Sequence, residues 1–172
     1  MKNPQNSDGL PILAMTDFRP LQCLAHNAAG RVFDVLWKDA SAVVKFPANP
    51  EETWIHRQLA GEPGVLELWA TVVDPVLGEG LLMPRAQTDL QCVLERGVRV
   101  HPSQLALAAR ALARMHAMGW LHRDVHPGNL VLHEGTWKLI DFGLSRPYSG
   151  GFRCPVQSHA VIRFASLSQL QN

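Results

Sequence analysis

The sequence predicts an α+β fold, with strands in the first half of the chain and a dominant helix in the second. Residues 21–46 and 66–83 carry runs of Val, Phe, Leu and Trp separated by turn residues, which is typical of short strands. Between Ser103 and Met118 the apolar residues recur every three or four positions, which is the helical period. The length of 172 residues suffices for one domain or for two small lobes.

The first half is predicted to form a small sheet with one helix. Residues 1–17 are polar and then turn apolar, and we expect a flexible lead-in there. The helix should begin at Glu51 and end before Gly61, where glycine and proline break the pattern. The expected strands are short and bounded by turn residues: two or three within 21–46, then 66–73 and 80–83.

The second half is predicted to hold a long helix followed by a hairpin. Pro102 precedes the helix and Gly119 follows it, which are residues that favour a helix start and a helix end. Residues 130–133 and 137–140 then read as two strands joined by a short turn.

Composition excludes several functional classes. Sixteen basic and fifteen acidic residues are scattered and give a net charge of +1, which argues against a general nucleic-acid binder. No apolar stretch is long enough to span a bilayer or resembles a signal peptide, so we expect a cytoplasmic protein. Cys23, Cys92 and Cys154 are far apart and lack metal-type spacing, which predicts reduced thiols and no zinc site.

Residues 122–143, HRDVHPGNLVLHEGTWKLIDFG, contain two acid-bearing motifs at a short separation. Asp124 and Asn129 stand five positions apart, and Asp141 opens D-F-G directly after a predicted strand. Phosphoryl transfer requires little from a protein beyond a group that orients the attacking hydroxyl, metal ions, and cations on the phosphates. The two motifs therefore suggest an enzyme that moves a phosphoryl group.

The two motifs resemble the signature pair of the protein kinase superfamily, H-R-D-x-x-x-x-N and D-F-G. The resemblance implies that Asp124 accepts the proton of the acceptor hydroxyl. It also implies that Asn129 and Asp141 hold Mg²⁺, or Mn²⁺ in its place, beside bound ATP.

An earlier segment is similar to the V-A-I-K strand of the same superfamily. Residues 42–45 read A-V-V-K, and the resemblance implies that Lys45 contacts the α and β phosphates of ATP. Glu51 or Glu52 should then pair with Lys45. We favour Glu52, because it lies two helical turns before Leu59 along the predicted helix.

The resemblance also locates the adenine site. Residues 83–86 stand where the hinge of a kinase lies, so backbone groups such as the carbonyl of Met83 and the amide of Ala86 would contact adenine. Val32, Val43 and Met83 would line the pocket.

The glycine-rich loop that covers the phosphates in kinases is degenerate here. Within residues 24–32, Gly30 and Val32 keep the end of G-x-G-x-x-G-x-V, whereas Ala25 and Asn27 replace the first two glycines. Since glycine lets the backbone approach phosphates closely, the grip on phosphate should differ.

His126 stands two positions after Asp124, where serine/threonine kinases carry a lysine that contacts phosphate. Either this role or packing within the loop would suit a histidine. The H-P-G-N run, His126 to Asn129, is similar to loops of aminoglycoside phosphotransferases and of atypical kinases related to ubiquinone biosynthesis. Arg123 and D-F-G favour a protein kinase instead.

The resemblance covers about residues 20–148 and implies a two-lobed fold with ATP in the cleft. The N-lobe would comprise residues 18–84. Residues 85–172 would form a C-lobe with a truncated helical part, because few residues follow Gly143. Compact kinases of this kind occur in bacteria, including effectors delivered into host cells.

The function implied is transfer of phosphate from ATP to a serine or threonine of a protein. Two alternatives stay open: a kinase of a small molecule such as a sugar, antibiotic or lipid precursor, and a pseudokinase that only binds nucleotide.

Overall fold

The computed structural model describes residues 9–27 and 30–148. The chain divides into two compact units: residues up to 61 together with 66–86, and residues 62–65 together with those from 87 onward. The expected boundary after residue 84 lies two positions from this division. Residues 1–8 of the predicted lead-in, Ala28 and Ala29 of the degenerate loop, and residues 149–172 of the predicted C-lobe lie outside the described residues.

The described residues of the first unit form a six-stranded sheet with one α-helix. Its elements are β1 (Ile12–Ala14), β2 (Arg19–Asn27), β3 (Gly30–Trp37), β4 (Ala40–Phe46), α1 (Pro50–Gln58), β5 (Ala70–Asp74) and β6 (Gly78–Pro84). The strand order is β1-β5-β6-β4-β3-β2, in which only β1 and β5 run parallel.

Strand β1 corrects the prediction that residues 1–17 are a flexible lead-in. Ile12–Ala14 pairs with β5, and the amide of Thr71 donates to the Pro11 carbonyl. The side chain of Leu13 is buried in the core of the first unit. The apolar residues of the lead-in therefore supply an edge strand, because backbone pairing and burial together offset the entropy of ordering the segment.

One buried apolar cluster of the first unit lies on a single face of the sheet, called here the core face. Cross-strand partners in β3, β4 and β6 present side chains to the same face, and successive residues alternate between faces. The buried apolar cluster on this face consists of Leu13, Phe18, Val35, Ala42, Val44, Phe46, Ala70, Val72 and Leu82.

Helix α1 begins one residue before the predicted start. The side chain of Asn49 accepts a hydrogen bond of 2.7 Å from the amide of Glu52, and Pro50 occupies the first helical turn, where its missing amide is no loss. The first turn carries acidic residues and the last turn basic ones, and these charges stabilise the helix by interacting favourably with its dipole.

The strand predicted for residues 66–73 is shorter than expected and begins at Ala70. Leu66 and Leu68 are buried without belonging to a strand, so their apolar character reflects packing alone. The residues just before them belong to the second unit, where the Gly64 carbonyl accepts a 2.7 Å hydrogen bond from Leu139.

As far as residue 148, the second unit combines short strands with two α-helices. Its elements are β7 (Thr88–Asp89), α2 (Leu90–Glu95), α3 (Ala106–Ala117), β8 (Trp120–Leu121), β9 (Leu130–His133), β10 (Thr136–Leu139) and β11 (Arg146–Pro147). The strands form a sheet in the order β10-β9-β7 and a separate pair of β11 with β8. The α+β fold class predicted from the sequence is confirmed.

Helix α3 is shorter than the predicted helix. Residues Pro102–Leu105 form a 3₁₀ turn that is capped by the side chain of His101, and the α-helix follows it. Ala108, Ala111 and Met115 are the buried positions, at the predicted spacing of three and four. The predicted hairpin is present as β9 and β10.

Candidate functional site

Lys45 and Glu52 form an ion pair within the first unit. The Lys45 ammonium donates to Glu52 Oε1 at 2.7 Å, with 17% of the Lys45 side chain and 1% of the Glu52 side chain exposed. Glu51 is exposed. Lys45 therefore pairs with the glutamate favoured from the sequence. A lysine held near the end of a strand by a buried carboxylate can present a fixed positive charge to an anion.

The residues predicted to surround a nucleotide share one face of the first sheet. In the register of β3, β4 and β6, Val32 pairs with Lys45 and Val43 pairs with Met83. Lys45 and Val43 are two residues apart on β4, so all four side chains lie opposite the core face. The sequence alone did not reveal this common face, because it depends on the strand register.

Gly30 is required by the packing of the strands. Its φ is +148°, and a Cβ at this position would collide with the carbonyl oxygen of Phe46. The glycine retained at this end of the degenerate loop therefore has a steric reason that is independent of phosphate. Its predicted contact with phosphate stays a prediction.

The segment predicted as a hinge is anchored to the same sheet. The amide of Arg85 donates to the Ser41 carbonyl at 3.1 Å, and the guanidinium of Arg85 pairs with the carboxylate of Asp34 on β3. Asp34 is buried. This pair was not predicted from the sequence, although a charged residue within an apolar strand pattern is an available signal.

Asp124 and Asn129 contact each other in the second unit. The side-chain amide of Asn129 donates to the Asp124 carbonyl at 2.9 Å and to Asp124 Oδ2 at 3.1 Å. Asn129 ends the 3₁₀ turn Pro127–Asn129, and it is buried. The five-residue spacing in the sequence thus closes a loop that orients the Asp124 carboxylate.

His122 holds this loop through a hydrogen bond to the Asp124 backbone. Its role was not identified from the sequence. Its Nδ1 accepts from the Asp124 amide at 3.3 Å, and its Nε2 lies 3.1 Å from the Ile140 carbonyl. Its ring packs edge-on against Phe142, with centroids 5.2 Å apart. Burial lowers the pKa of His122, with the Ile140 carbonyl and the charge of Asp141 opposing that effect. A neutral imidazole with hydrogen on Nε2 satisfies both contacts.

Asp141 lies in a turn that the neighbouring strands hold in place. Its φ is +61°, and its Oδ1 accepts from the Gly143 amide at 3.1 Å. Phe142 is fully buried, and the Ile140 amide donates to the Asn129 carbonyl at 3.1 Å. The backbone thus links the strand before D-F-G to the residue that ends the Asp124 loop.

The chemistry of Asn129 and Asp141 fits a magnesium ion. Because the Asn129 amide nitrogen donates to Asp124, its oxygen is the atom that can act as a ligand. Mg²⁺ usually takes one or two protein oxygens and completes its shell with phosphates and water. Within residues 9–27 and 30–148 no group of three His, Cys, Asp or Glu side chains is arranged to hold a metal ion.

His126 lies beside Asp124. Its Nδ1 accepts from the Gly128 amide at 3.1 Å, and its Nε2 is 3.6 Å from Asp124 Oδ2. The structure thus brings His126 together with Asp124 and Asn129. The predicted contact between His126 and phosphate remains a prediction.

The described cysteines, Cys23 and Cys92, are free thiols, and Cys154 lies outside the described residues. A hydrogen bond to Asp89, together with the negative charge of that residue, raises the pKa of Cys92. In the same described part of the chain, no helix is long and apolar enough to cross a membrane.

Comparison with known families gives one match that covers most of the chain. The model of the family described as "Protein kinase domain" matches residues 49–161. The match includes Glu52 and both motifs of residues 122–143, and it begins after Lys45.

Curated relatives carry related names. The chain is 30% identical over 166 residues to serine/threonine-protein kinase mph1 of Schizosaccharomyces pombe, covering 83% of this chain and 24% of that protein. It is 34% identical over 105 residues to the cyclin-dependent kinase 4 homolog of Caenorhabditis elegans, covering 55% and 26%. A probable serine/threonine-protein kinase, PkwA of Thermomonospora curvata, is 40% identical over 75 residues, covering 42% and 10%. The chain thus spans about a quarter or less of these relatives.

Proposed function

Because this chain belongs to the protein kinase family, we propose that it transfers the γ-phosphoryl group of ATP to a serine or threonine hydroxyl of a protein. The family match and the names of the relatives support a protein acceptor. The reaction needs ATP, so the proposed place of action is the cytoplasm, either of the cell that makes the protein or of a host cell that receives it.

The contact between Asp124 and Asn129 carries the proposal. Two hydrogen bonds from one amide hold the Asp124 backbone and carboxylate in a fixed relation. A carboxylate oriented in this way can accept the proton of an attacking hydroxyl at the moment when the oxygen bonds to phosphorus. Local hydrogen bonding of Asp124 alone would not require the buried asparagine.

The proposed reaction assigns one role to each residue. The acceptor oxygen forms a bond to the γ-phosphorus, its proton passes to Asp124, and the bond from phosphorus to the oxygen of ADP breaks. Lys45, held by Glu52, contacts the α and β phosphates. Mg²⁺, held by Asn129 and Asp141, would neutralise charge on the phosphates.

The adenine contacts remain part of the proposal. The shared sheet face of Val32, Val43 and Met83 supports an apolar surface for the base, and Ala86 would offer a backbone amide. Gly30 would lie at the phosphate end of β3.

Label transfer from γ-labelled ATP tests the proposal. The protein is incubated with Mg²⁺ or Mn²⁺ and a cell lysate, and labelled phosphoserine and phosphothreonine are measured. Wild type should label protein, whereas Asp141→Ala and Asp124→Ala should not. Asp39→Asn, which changes an exposed turn carboxylate in the first unit, is the matched control and should retain activity.

Other outcomes would contradict the proposal in distinct ways. ATP consumption with label only in metabolites would establish a small-molecule kinase, in line with the H-P-G-N resemblance. Nucleotide binding without any transfer under all these conditions would indicate a pseudokinase. Equal labelling by wild type and Asp124→Ala would remove Asp124 from the reaction.

A further inference from the structure

The imidazole of His126 makes a contact that determines which ring nitrogen carries hydrogen. Nδ1 accepts a hydrogen bond from the Gly128 amide at 3.1 Å, and this contact caps the 3₁₀ turn Pro127–Asn129. A ring nitrogen that accepts a hydrogen bond does not itself carry hydrogen, so in this contact the hydrogen of the ring lies on Nε2.

The protonated nitrogen of this tautomer is the one beside Asp124. Nε2 lies 3.6 Å from Asp124 Oδ2, longer than a formed hydrogen bond. Such contacts in an enzyme without substrate often shorten when the substrate binds. Asn129 already donates to the same oxygen at 3.1 Å. Two donors therefore converge on Oδ2 of Asp124.

We propose that His126 is a positioning residue that holds Asp124 Oδ2, so that Oδ1 is the oxygen that receives the acceptor's proton. This inference rests on the proposed function and assigns His126 a role through Asp124 in place of a contact with phosphate. In the reaction the hydroxyl O–H bond breaks, the proton bonds to Oδ1, and the His126 ring keeps its own hydrogen.

Gly128 is a steric requirement of this arrangement. A Cβ at Gly128 would lie 2.9 Å from His126 Cε1 and 3.1 Å from Nδ1, so any side chain would displace the ring. Pro127 supplies the first position of the turn, where no amide hydrogen is needed. Each residue of H-P-G-N therefore has a structural role. His126 supplies the ring, Pro127 begins the turn and Gly128 leaves space for the ring. Asn129 donates to the same Asp124 oxygen that the ring approaches.

Two isosteric substitutions separate positioning from a purely structural role. In His126→Asn the side-chain oxygen replaces Nδ1, so the turn keeps its cap but Asp124 loses its donor. In His126→Gln the side-chain nitrogen replaces Nε2, so the donor is kept and the cap is lost. Rates of label transfer, KM for ATP, and melting temperature are measured for both variants and wild type.

The inference predicts that only one of the two variants loses most of its rate. His126→Asn should lower kcat by about tenfold to a hundredfold with little change in KM for ATP, since misplacing a reacting group costs rate. His126→Gln should recover most of kcat even if its melting temperature falls. Recovery by Asn and not by Gln would overturn the inference and leave the ring as a turn cap.

A second readout does not depend on transfer. The intact protein, which has eight histidines, is labelled with ¹⁵N at histidine, and the His126 signals are those missing in His126→Asn. At about pH 8, above the ordinary histidine pKa of about 6.5, the spectrum should show hydrogen on Nε2. Hydrogen on Nδ1 would overturn the inference. Failure of wild type to transfer phosphate would instead count against the proposed function.

Discussion

Removing either partner of the Lys45–Glu52 ion pair should destabilise the first unit, and the two losses should not add. At 2.7 Å and an effective dielectric constant of about 20, the attraction between the charges is about 6 kcal/mol. Desolvation of the buried Glu52 carboxylate offsets much of this. Loss of one partner of a buried pair costs about 3–5 kcal/mol, because the other charge stays buried without its counter-charge.

A double-mutant cycle measures the coupling. The free energy of unfolding in urea is compared for wild type, Lys45→Met, Glu52→Gln and the double variant. We expect each single variant to lose about 3 kcal/mol and the double variant to lose less than the sum by about 2 kcal/mol. Glu51→Gln, on the exposed side of the same helical turn, is the control and should cost about 0.5 kcal/mol.

Additive losses would refute this reasoning. A coupling below about 0.5 kcal/mol would mean that the short contact contributes nothing specific to stability. A loss in Glu51→Gln equal to that in Glu52→Gln would show that helix charge, and not the pair, accounts for the effect.

Three further changes test the second unit, the catalytic loop and the hinge segment. Gly64→Ala should lower the free energy of unfolding in urea by about 3 kcal/mol or more, because a Cβ there would collide with a carbonyl of helix α3. The control is Gly97→Ala, which has open space and a φ of +73° and should cost only about 1 kcal/mol. Equal losses in the two variants would refute the steric argument. Burial lowers the pKa of His122 in the folded protein. As the pH falls below the unfolded-state pKa of about 6.5, the unfolded chain binds the proton first, so the free energy of unfolding decreases as the pH decreases. His122→Asn should lose less stability than wild type between about pH 7 and 5, and parallel curves would contradict this. Arg85→Met should cost about 2–3 kcal/mol in thermal or urea unfolding, because it leaves buried Asp34 without its counter-charge; a loss below about 0.5 kcal/mol would show that the pair is not needed.

Much of the site was predictable because its residues are close in sequence. The spacing of Asp124, Asn129 and Asp141 fits one turn and one hairpin, and both are local structures whose backbone follows from nearby residues. The same holds for α1, where Asn49 and Pro50 mark the start. The choice of Glu52 over Glu51 also followed from helical period alone.

Other features needed the tertiary structure because their partners are far apart in sequence. Residues 12–14 were expected to belong to a flexible lead-in, but they form strand β1, which pairs with β5. The ion pair between Asp34 and Arg85 was not predicted, because its partners are far apart in sequence. A sequence window carries the preference of the local backbone, but it does not carry the register between distant strands.

The sequence by itself determined the family resemblance, the α+β class and the motif spacing, because each can be recognised from short stretches of the chain. Only the tertiary structure decided that Gly30 is sterically required and that Val32, Val43, Lys45 and Met83 share one face. It also decided that Nε2 of the His126 ring lies 3.6 Å from Asp124 Oδ2 while Nδ1 accepts from the Gly128 amide. The steric requirement at Gly30 and the shared face follow from close packing and strand register, which arise when distant segments exclude water from one another.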